Sequence, residues 1–213
     1  MRTMIAIPCM DLLHTAFFQS CVSLDMTGEV QWTTCQCSLP YDARNKLCEL
    51  AIDGEFDRVL WLDSDTAFDR HLFRRLSEHL DQGREMVTGL YISRKRPLQP
   101  VIYKALRREE LPTGGQAARA DSYTDFEHDS LFPVAACGFG AVMMTTQLLQ
   151  DVRDAYGPPF FPALGFGEDL SFCLRAGWLG REIWCDSSIK VGHVGQAVYD
   201  EELWRAEAGL QDD

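Results

Sequence analysis

The chain has 213 residues, 46% of them hydrophobic, with 12 Phe, 5 Trp and 6 Tyr and a charged fraction of 24%; this is enough to bury a sizeable core as one domain and excludes general disorder. With 20 Lys+Arg against 32 Asp+Glu the formal net charge is −12, which argues against a surface built for nucleic acid or anionic lipid while leaving room for a local basic pocket. No apolar run approaches the ~20 residues needed to span a bilayer, and the opening Met1-Arg-Thr-Met-Ile-Ala-Ile-Pro8 turns polar too soon for a signal peptide.

Residues 4–8 read as a short buried strand. Residues 11–24 carry Leu13, Phe17, Cys21 and Leu24 at helical spacing. Val30, Trp32, Thr34 and Gln36 alternate as a strand does. Residues 42–53 return to helix, with Ala43, Leu47 and Leu50 on one face and Gly54 as the stop. Residues 59–62 form a short apolar strand ending at Asp63. Asp69 can cap a helix that turns Leu72, Phe73, Leu76 and Leu80 inward and closes at Gly83. Residues 86–92 are strand again. Such alternation implies a parallel sheet with right-handed crossovers, and sheets of that kind bind ligands beyond the C-terminal ends of their strands.

The second half changes character. Residues 107–130 are polar, contain Gly114-Gly115 and read as a mobile surface loop. Residues 135–146 are apolar with Gly138 and Gly140 embedded, and residues 147–156 form a short helix. Pro158, Pro159 and Pro162 force an irregular stretch before Gly167. Residues 168–176 read as a helix ended by Gly177, followed by short strands at 182–185 and 189–194 and a last amphipathic helix over 200–210. There is no internal repeat, so residues 1–213 are expected to be one domain, with 200–213 a C-terminal helix and tail. The eight cysteines include no CxxC pair; Cys35-x-Cys37 has no second pair to make a zinc site, and reduced thiols in a cytoplasmic protein are the simplest reading.

Four segments can carry chemistry. In Leu60-Trp-Leu-Asp63-Ser-Asp65, two carboxylates one residue apart at a strand end make a hard-oxygen site for Mg²⁺ or Mn²⁺; the plainer reading is a turn rich in capping carboxylates. In Phe166-Gly-Glu168-Asp169-Leu-Ser, the acidic pair opens a helix, where the macrodipole alone would favour it, but a carboxylate fixed there can also take a proton from a hydroxyl. In Val191-Gly-His193-Val-Gly195 the imidazole is a turn histidine or the third member of an Asp–Asp–His set. In Asp42-Ala-Arg44-Asn45 an arginine at a helix start faces the strand ends and can hold a phosphate or a base edge. Arg94-Lys95-Arg96 can neutralise a diphosphate or form a solvated basic loop. Cys137-Gly-Phe-Gly140 lacks the spacing of a phosphate cradle; its glycines suit close approach of backbone to a ligand, or a bulge.

In order along the chain, Ile5-Ala-Ile-Pro8, Ala43-Arg-Asn45, Val59-Leu-Trp-Leu-Asp-Ser-Asp65, Cys137-Gly-Phe-Gly140, Gly167-Glu-Asp-Leu-Ser-Phe-Cys173 and Gly192-His193 resemble the family 2-like glycosyltransferases of GT-A fold, the small bacterial and phage members above all, over roughly residues 3–195. The resemblance implies an α/β, Rossmann-like, mostly parallel sheet flanked by helices. It also implies transfer of one sugar from a UDP- or GDP-sugar to an acceptor hydroxyl on a glycan, metabolite, protein or modified phage DNA base. By that likeness Pro8, Arg44 and Ser64 would lie near the nucleotide, Asp63 would bind the metal or the ribose, and Gly138 and Gly140 would line the donor-sugar pocket. Asp65, Asp63 and His193 would hold Mn²⁺ or Mg²⁺. Asp169 would be the general base, with Glu168 beside it. The QxxRW motif of processive members is absent, since Gln150-Asp-Val-Arg153 is followed by Asp154; single-sugar transfer is therefore expected.

Two other readings compete. Asp63-Ser-Asp65-Thr66 also fits the DxDxT nucleophile motif of haloacid-dehalogenase-like phosphatases, in which Asp63 would carry the phosphoryl group, although that motif normally follows the first strand and here follows the third. Alternatively, the chain is a non-catalytic nucleotide-sugar-binding module that kept the pocket and lost transfer.

Overall fold

The alternating apolar pattern of the first ninety residues becomes β-strand and α-helix in turn. A computed structural model describes residues 1–10, 12–195 and 198–209. In chain order the elements are β1 (Arg2–Cys9), α1 (Thr15–Ser23), β2 (Glu29–Gln36), α2 (Pro40–Asp53), β3 (Arg58–Leu62), β4 (Thr66–Phe68), α3 (Leu72–Asp81) and β5 (Met86–Tyr91). They continue with β6 (Ile102–Glu110), β7 (Gln116–Ser122), β8 (Leu131–Val134), β9 (Ala136–Cys137), β10 (Ala141–Thr145), α4 (Thr146–Tyr156), α5 (Glu168–Trp178), β11 (Ile183–Val194), β12 (Val198–Tyr199) and α6 (Glu201–Ala208).

The main sheet runs β12-β11-β5-β10-β3-β1-β2, with β4 and β8 added along β11. Strands β1, β2 and β3 pair in parallel, as do β5 and β11. The expected mostly parallel sheet carries one antiparallel strand at its centre, where β10 runs antiparallel to both β3 and β5. The sheet is thus mixed and mostly parallel, with helices on both faces. Alternation along β1 divides the core. Met4 and Ala6 pack with Leu47 and Ala51 of α2, Leu148 of α4 and Phe172 of α5, whereas Ile5 and Ile7 pack with Phe17 of α1 and Phe73 and Leu76 of α3.

Local chemistry explains most boundaries. Pro40 opens α2, where its missing N–H costs nothing. Asp69 Oδ1 accepts from the His71 amide (2.8 Å) just ahead of α3, and Thr145 and Asp200 cap α4 and α6 through the Leu148 and Leu203 amides. Several expectations need correction. The first helix starts at Thr15 and leaves Leu13 exposed; Asp11 and residues 210–213 lie outside the described residues. On α2 the inward face carries Ala43, Arg44, Leu47, Cys48 and Ala51, while Leu50 is 51% exposed. Gly177 does not stop α5, which runs on to Trp178. The two late strands are one, β11, whose register against β5 shifts between Asp186 and Lys190.

The largest correction concerns residues 107–130. Most of this stretch belongs to an antiparallel ribbon of β6 and β7, turned at residues 111–115 where Gly114 and Gly115 adopt φ of +81° and +91°. The ribbon joins β9 through β6 into a small three-stranded sheet, and its distal part, exposed over residues 107–116, needs no apolar alternation. Its cross-strand pairs are ionic instead: Arg107 with Asp121, and Arg119 with Glu109.

Candidate active site at the C-terminal edge of the sheet

Strands β1, β3, β5 and β11 all end at one edge, and β10 begins there, so Pro8, Asp63, Tyr91, His193 and Gly140 are brought to the same rim. The turn after β3 is fixed by its own backbone. Asp63 C=O accepts from both the amide and the hydroxyl of Thr66 (3.2 and 2.9 Å), and Asp63 N–H donates to Gly140 C=O at 3.2 Å. Ser64 C=O accepts from the His14 amide at 3.3 Å. Short β4 then pairs antiparallel with β11, setting His193 opposite Thr66, and Val194 N–H donates to Asp65 C=O at 2.6 Å. This pairing, across more than a hundred residues, joins the Asp-Ser-Asp turn to the histidine.

Two clusters result. In the first, His193 Nε2 stands 3.4 Å from Asp65 Oδ2, and Arg94 Nη2 approaches the same oxygen at 3.0 Å. His193 Nδ1 faces Ile92 C=O at 3.1 Å. A carbonyl only accepts, so Nδ1 carries the hydrogen and the ring presents Nε2 to Asp65. Burial works against ionisation of Asp65, but His193 and then Arg94 outweigh it and hold the carboxyl below its ordinary value.

Arg44 organises the second cluster. Its side chain is 4% exposed, with Nη2 2.7 Å from Asp63 Oδ1 and Nε 3.6 Å from Glu168 Oε1. The guanidinium lies over the rings of Trp61 and Phe139, 5.8 and 5.2 Å from their centroids. Those rings continue into Phe160 and Phe172, which stack at 4.9 Å. The apolar floor strengthens every charge interaction above it and penalises every uncompensated charge. Burial pushes the Asp63 carboxyl up, with the charges of Asp65 and Glu168 adding to it against Arg44. Burial, then Glu168, pushes Asp169 up to about 6, against the Leu170 amide (2.7 Å from Oδ1) and Arg44. One arginine is set among three carboxylates, so the cluster stays short of positive charge.

The neighbouring Asn45 holds the rim loop. Its Oδ1 accepts from the Phe160 amide (2.9 Å), Arg175 donates to Pro159 C=O (2.9 Å), and Ser171 Oγ accepts from Ala163 N–H (2.9 Å). These bonds fix residues 158–167 ahead of α5 and leave Phe161 exposed, in edge contact with Tyr41 at 5.6 Å.

The glycines of Cys137-Gly-Phe-Gly140 are buried against a residue that no sequence motif marks. A Cβ on Gly138 would collide with the Tyr91 hydroxyl, and one on Gly140 would fall 3.2 Å from the Tyr91 ring. The close approach expected of these glycines is therefore to a side chain of the protein itself. Tyr91 also meets His193 edge-on at 5.5 Å, and burial, then Asp63 and Asp169, drives its hydroxyl well above its ordinary pKa. Gly138→Ala is expected to cost about 1–3 kcal/mol by overpacking, and Gly138→Ala with Tyr91→Phe to recover only part of it, because Tyr91 Cζ and Val101 Cγ1 also lie 2.9 Å from the added carbon; urea unfolding of the two variants checks this.

The structure thus brings Asp65 and His193 into contact, groups Asp63, Glu168 and Asp169 around Arg44, and sets Pro8 and Ser64 on the same rim. Asp63 is engaged by Arg44 rather than by His193, and among the described residues no three His, Cys, Asp or Glu side chains are clustered as around a bound ion. A separate cavity of about 350 Å³ lies between α5 and β6, lined by Leu106, Val134 and Trp178 among others, away from all of these residues.

No family model and no curated protein matches the sequence. Among solved structures, the chain is similar to the one described as "Crystal Structure of A197 from STIV", with a TM-score of 0.65 and 19% identity over 92% of this chain and 86% of that one. At such identity the likeness speaks to fold alone. Among the described residues no helix is long and apolar enough to cross a membrane.

Proposed function

We propose that the chain is a GT-A-type, metal-dependent glycosyltransferase that moves one sugar from a UDP- or GDP-sugar to an acceptor hydroxyl. The observation that carries this reading is the pairing of His193 Nε2 with Asp65 Oδ2 at 3.4 Å, with Nδ1 committed to Ile92 C=O. A carboxylate and an imidazole that face each other can share a proton or a metal cation, and an imidazole whose other nitrogen is tied to a carbonyl is oriented as metal-ligating histidines are. Carboxylate oxygen with imidazole nitrogen suits Mn²⁺, and Mg²⁺ through the oxygens. Asp65 and His193 would hold the ion, with Asp63 adjoining. A divalent ion there supplies charge neutralisation for a departing diphosphate.

The remaining steps belong to the chain's own residues. Asp169, raised to about 6, is ionised at neutral pH yet basic enough to take the acceptor's proton as the hydroxyl attacks. Glu168 sustains that basicity by its charge, and Arg44 keeps Asp63 and Glu168 from swinging apart. Phosphatase chemistry at Asp63 is less well supported, because the DxDxT motif normally follows the first strand and Asp63 here follows the third.

Titration calorimetry with a panel of UDP- and GDP-sugars, with and without Mn²⁺, tests the proposal. Asp65→Ala is expected to weaken metal-dependent donor binding by about 100-fold, at the upper end of losses seen when metal sites are disturbed. Donor affinity indifferent to both Mn²⁺ and Asp65 overturns the metal role.

A further inference from the structure

We propose that Arg94 is an exchangeable counter-ion: it neutralises Asp65 when the site is empty of ligand and transfers its guanidinium to the donor's diphosphate when metal and nucleotide bind, so that the two bind cooperatively. The inference rests on the glycosyltransferase reading and gives Arg94, from the basic run Arg94-Lys95-Arg96, a second partner in Asp65. Arg94 follows β5 in a loop whose ends are tied by Ser93 N–H to Gln99 C=O (2.9 Å), while Arg96 Nη2 pairs with Glu207 Oε1 at 2.5 Å. From this loop Arg94 reaches across the rim, Nη2 on Asp65 Oδ2 at 3.0 Å and Nη1 donating to Val194 C=O at 2.9 Å.

The conflict is geometric. The oxygen that Arg94 occupies is the one that faces His193 Nε2. A divalent cation held between Asp65 and His193 would take the lone pairs the guanidinium uses and would repel it at close range. Arg94 therefore has to leave. Its side chain is 42% exposed, so the stem has room to swing, and Lys95 beside it is exposed as well. A diphosphate bound to the same ion offers the departing guanidinium two oxygens in the planar, forked arrangement that arginine matches best. Metal alone thus competes with Arg94, whereas metal with nucleotide gives Arg94 a new partner. By linkage each ligand then strengthens the other by the same factor.

Three bindings measured by calorimetry test this: Mn²⁺ alone, and UDP or GDP with and without saturating Mn²⁺. The proteins are the wild type, Arg94→Gln, which retains a donor for Val194 C=O, and Arg94→Lys, which retains the charge. Arg94→Gln is expected to bind Mn²⁺ alone about fivefold more tightly, the size of a partly exposed ion pair released, and to bind the diphosphate in the presence of Mn²⁺ about tenfold more weakly. The coupling between metal and nucleotide should shrink accordingly, and Arg94→Lys should fall between. Mn²⁺ binding that is lost in Asp65→Ala but unchanged or weaker in Arg94→Gln overturns the counter-ion role and leaves the metal site standing. If the wild type binds no Mn²⁺ with or without nucleotide, the metal site and the exchange fall together.

Discussion

Asp169→Asn is expected to lower sugar transfer by about 10²–10⁴-fold, the usual share of a positioned general base, while donor affinity stays within about twofold. Asparagine preserves the shape and can still accept from the Leu170 amide, which lies 2.7 Å from Oδ1, but it cannot take a proton. The same substitution should stabilise the fold at neutral pH. Burial and the charge of Glu168 raise the folded-state carboxyl from 3.8 to about 6, so between those values the native state binds more protons than the unfolded one, and stability falls as pH rises through that window. By pH 7 the ionised group costs at most about 3 kcal/mol, since each tenfold change in proton affinity is worth about 1.4 kcal/mol. Urea unfolding from pH 4 to 7 should therefore show Asp169→Asn gaining on the wild type as pH rises, and the wild-type rate should climb through about pH 6 with that limb absent in the variant. A variant that keeps full transfer removes Asp169 from the chemistry. One that is inactive but gains no stability over the wild type between pH 4 and pH 7 removes the account of its raised pKa.

Legibility in the sequence follows the range of the interactions. Strands β1, β3 and β5 and helices α2 and α3 are readable because each is set by local apolar spacing, caps and glycines. The ribbon of β6 and β7 is not, because its strands carry charge on both faces and its Gly114-Gly115 turn reads equally well as loop. The antiparallel course of β10 depends on which neighbours it joins, and nothing in residues 141–145 encodes that. At the site, residue types are legible and partners are not. Asp65 and His193 meet through the pairing of β4 with β11, although three-residue β4 has too little sequence to register as a strand. Arg44 stands at a helix start that suggests reach toward a ligand; it lies instead beneath the carboxylates on an aromatic floor whose members come from β3, the loop before β10, the rim loop and α5. Tyr91 and Arg94 owe their places to the end of β5 and the loop after it, and only Gly138 and Gly140 hint that something large is packed against them.

That position makes Arg44→Met the most damaging single change expected outside the central core. Methionine fills similar space over Trp61 and Phe139, so packing loss is small and the effect isolates the charge. Asp63, Glu168 and Asp169 all draw on this one guanidinium, and removing one partner of a buried ion pair typically costs about 3–5 kcal/mol because the other charge stays behind unpaired. In a chain of this length that corresponds to a fall in Tm of roughly 10 °C. The loss has a definite pH dependence. Asp63 and Asp169 already hold their protons more tightly than usual, each against the pull of Arg44. Without it their folded-state pKa values rise further, the native state binds still more protons than the unfolded one, and stability falls as pH rises through that widened window. The deficit of Arg44→Met should therefore be largest above neutral pH and shrink on acidification toward pH 5. Adding Asp63→Asn and Glu168→Gln to Arg44→Met should recover most of the stability without restoring transfer, since the neutral amides no longer need the cation. Chemical unfolding of the single and triple variants at pH 5 and pH 8 decides it: a deficit under about 1 kcal/mol, or one equal at both pH values, would mean that the carboxylates do not depend on Arg44.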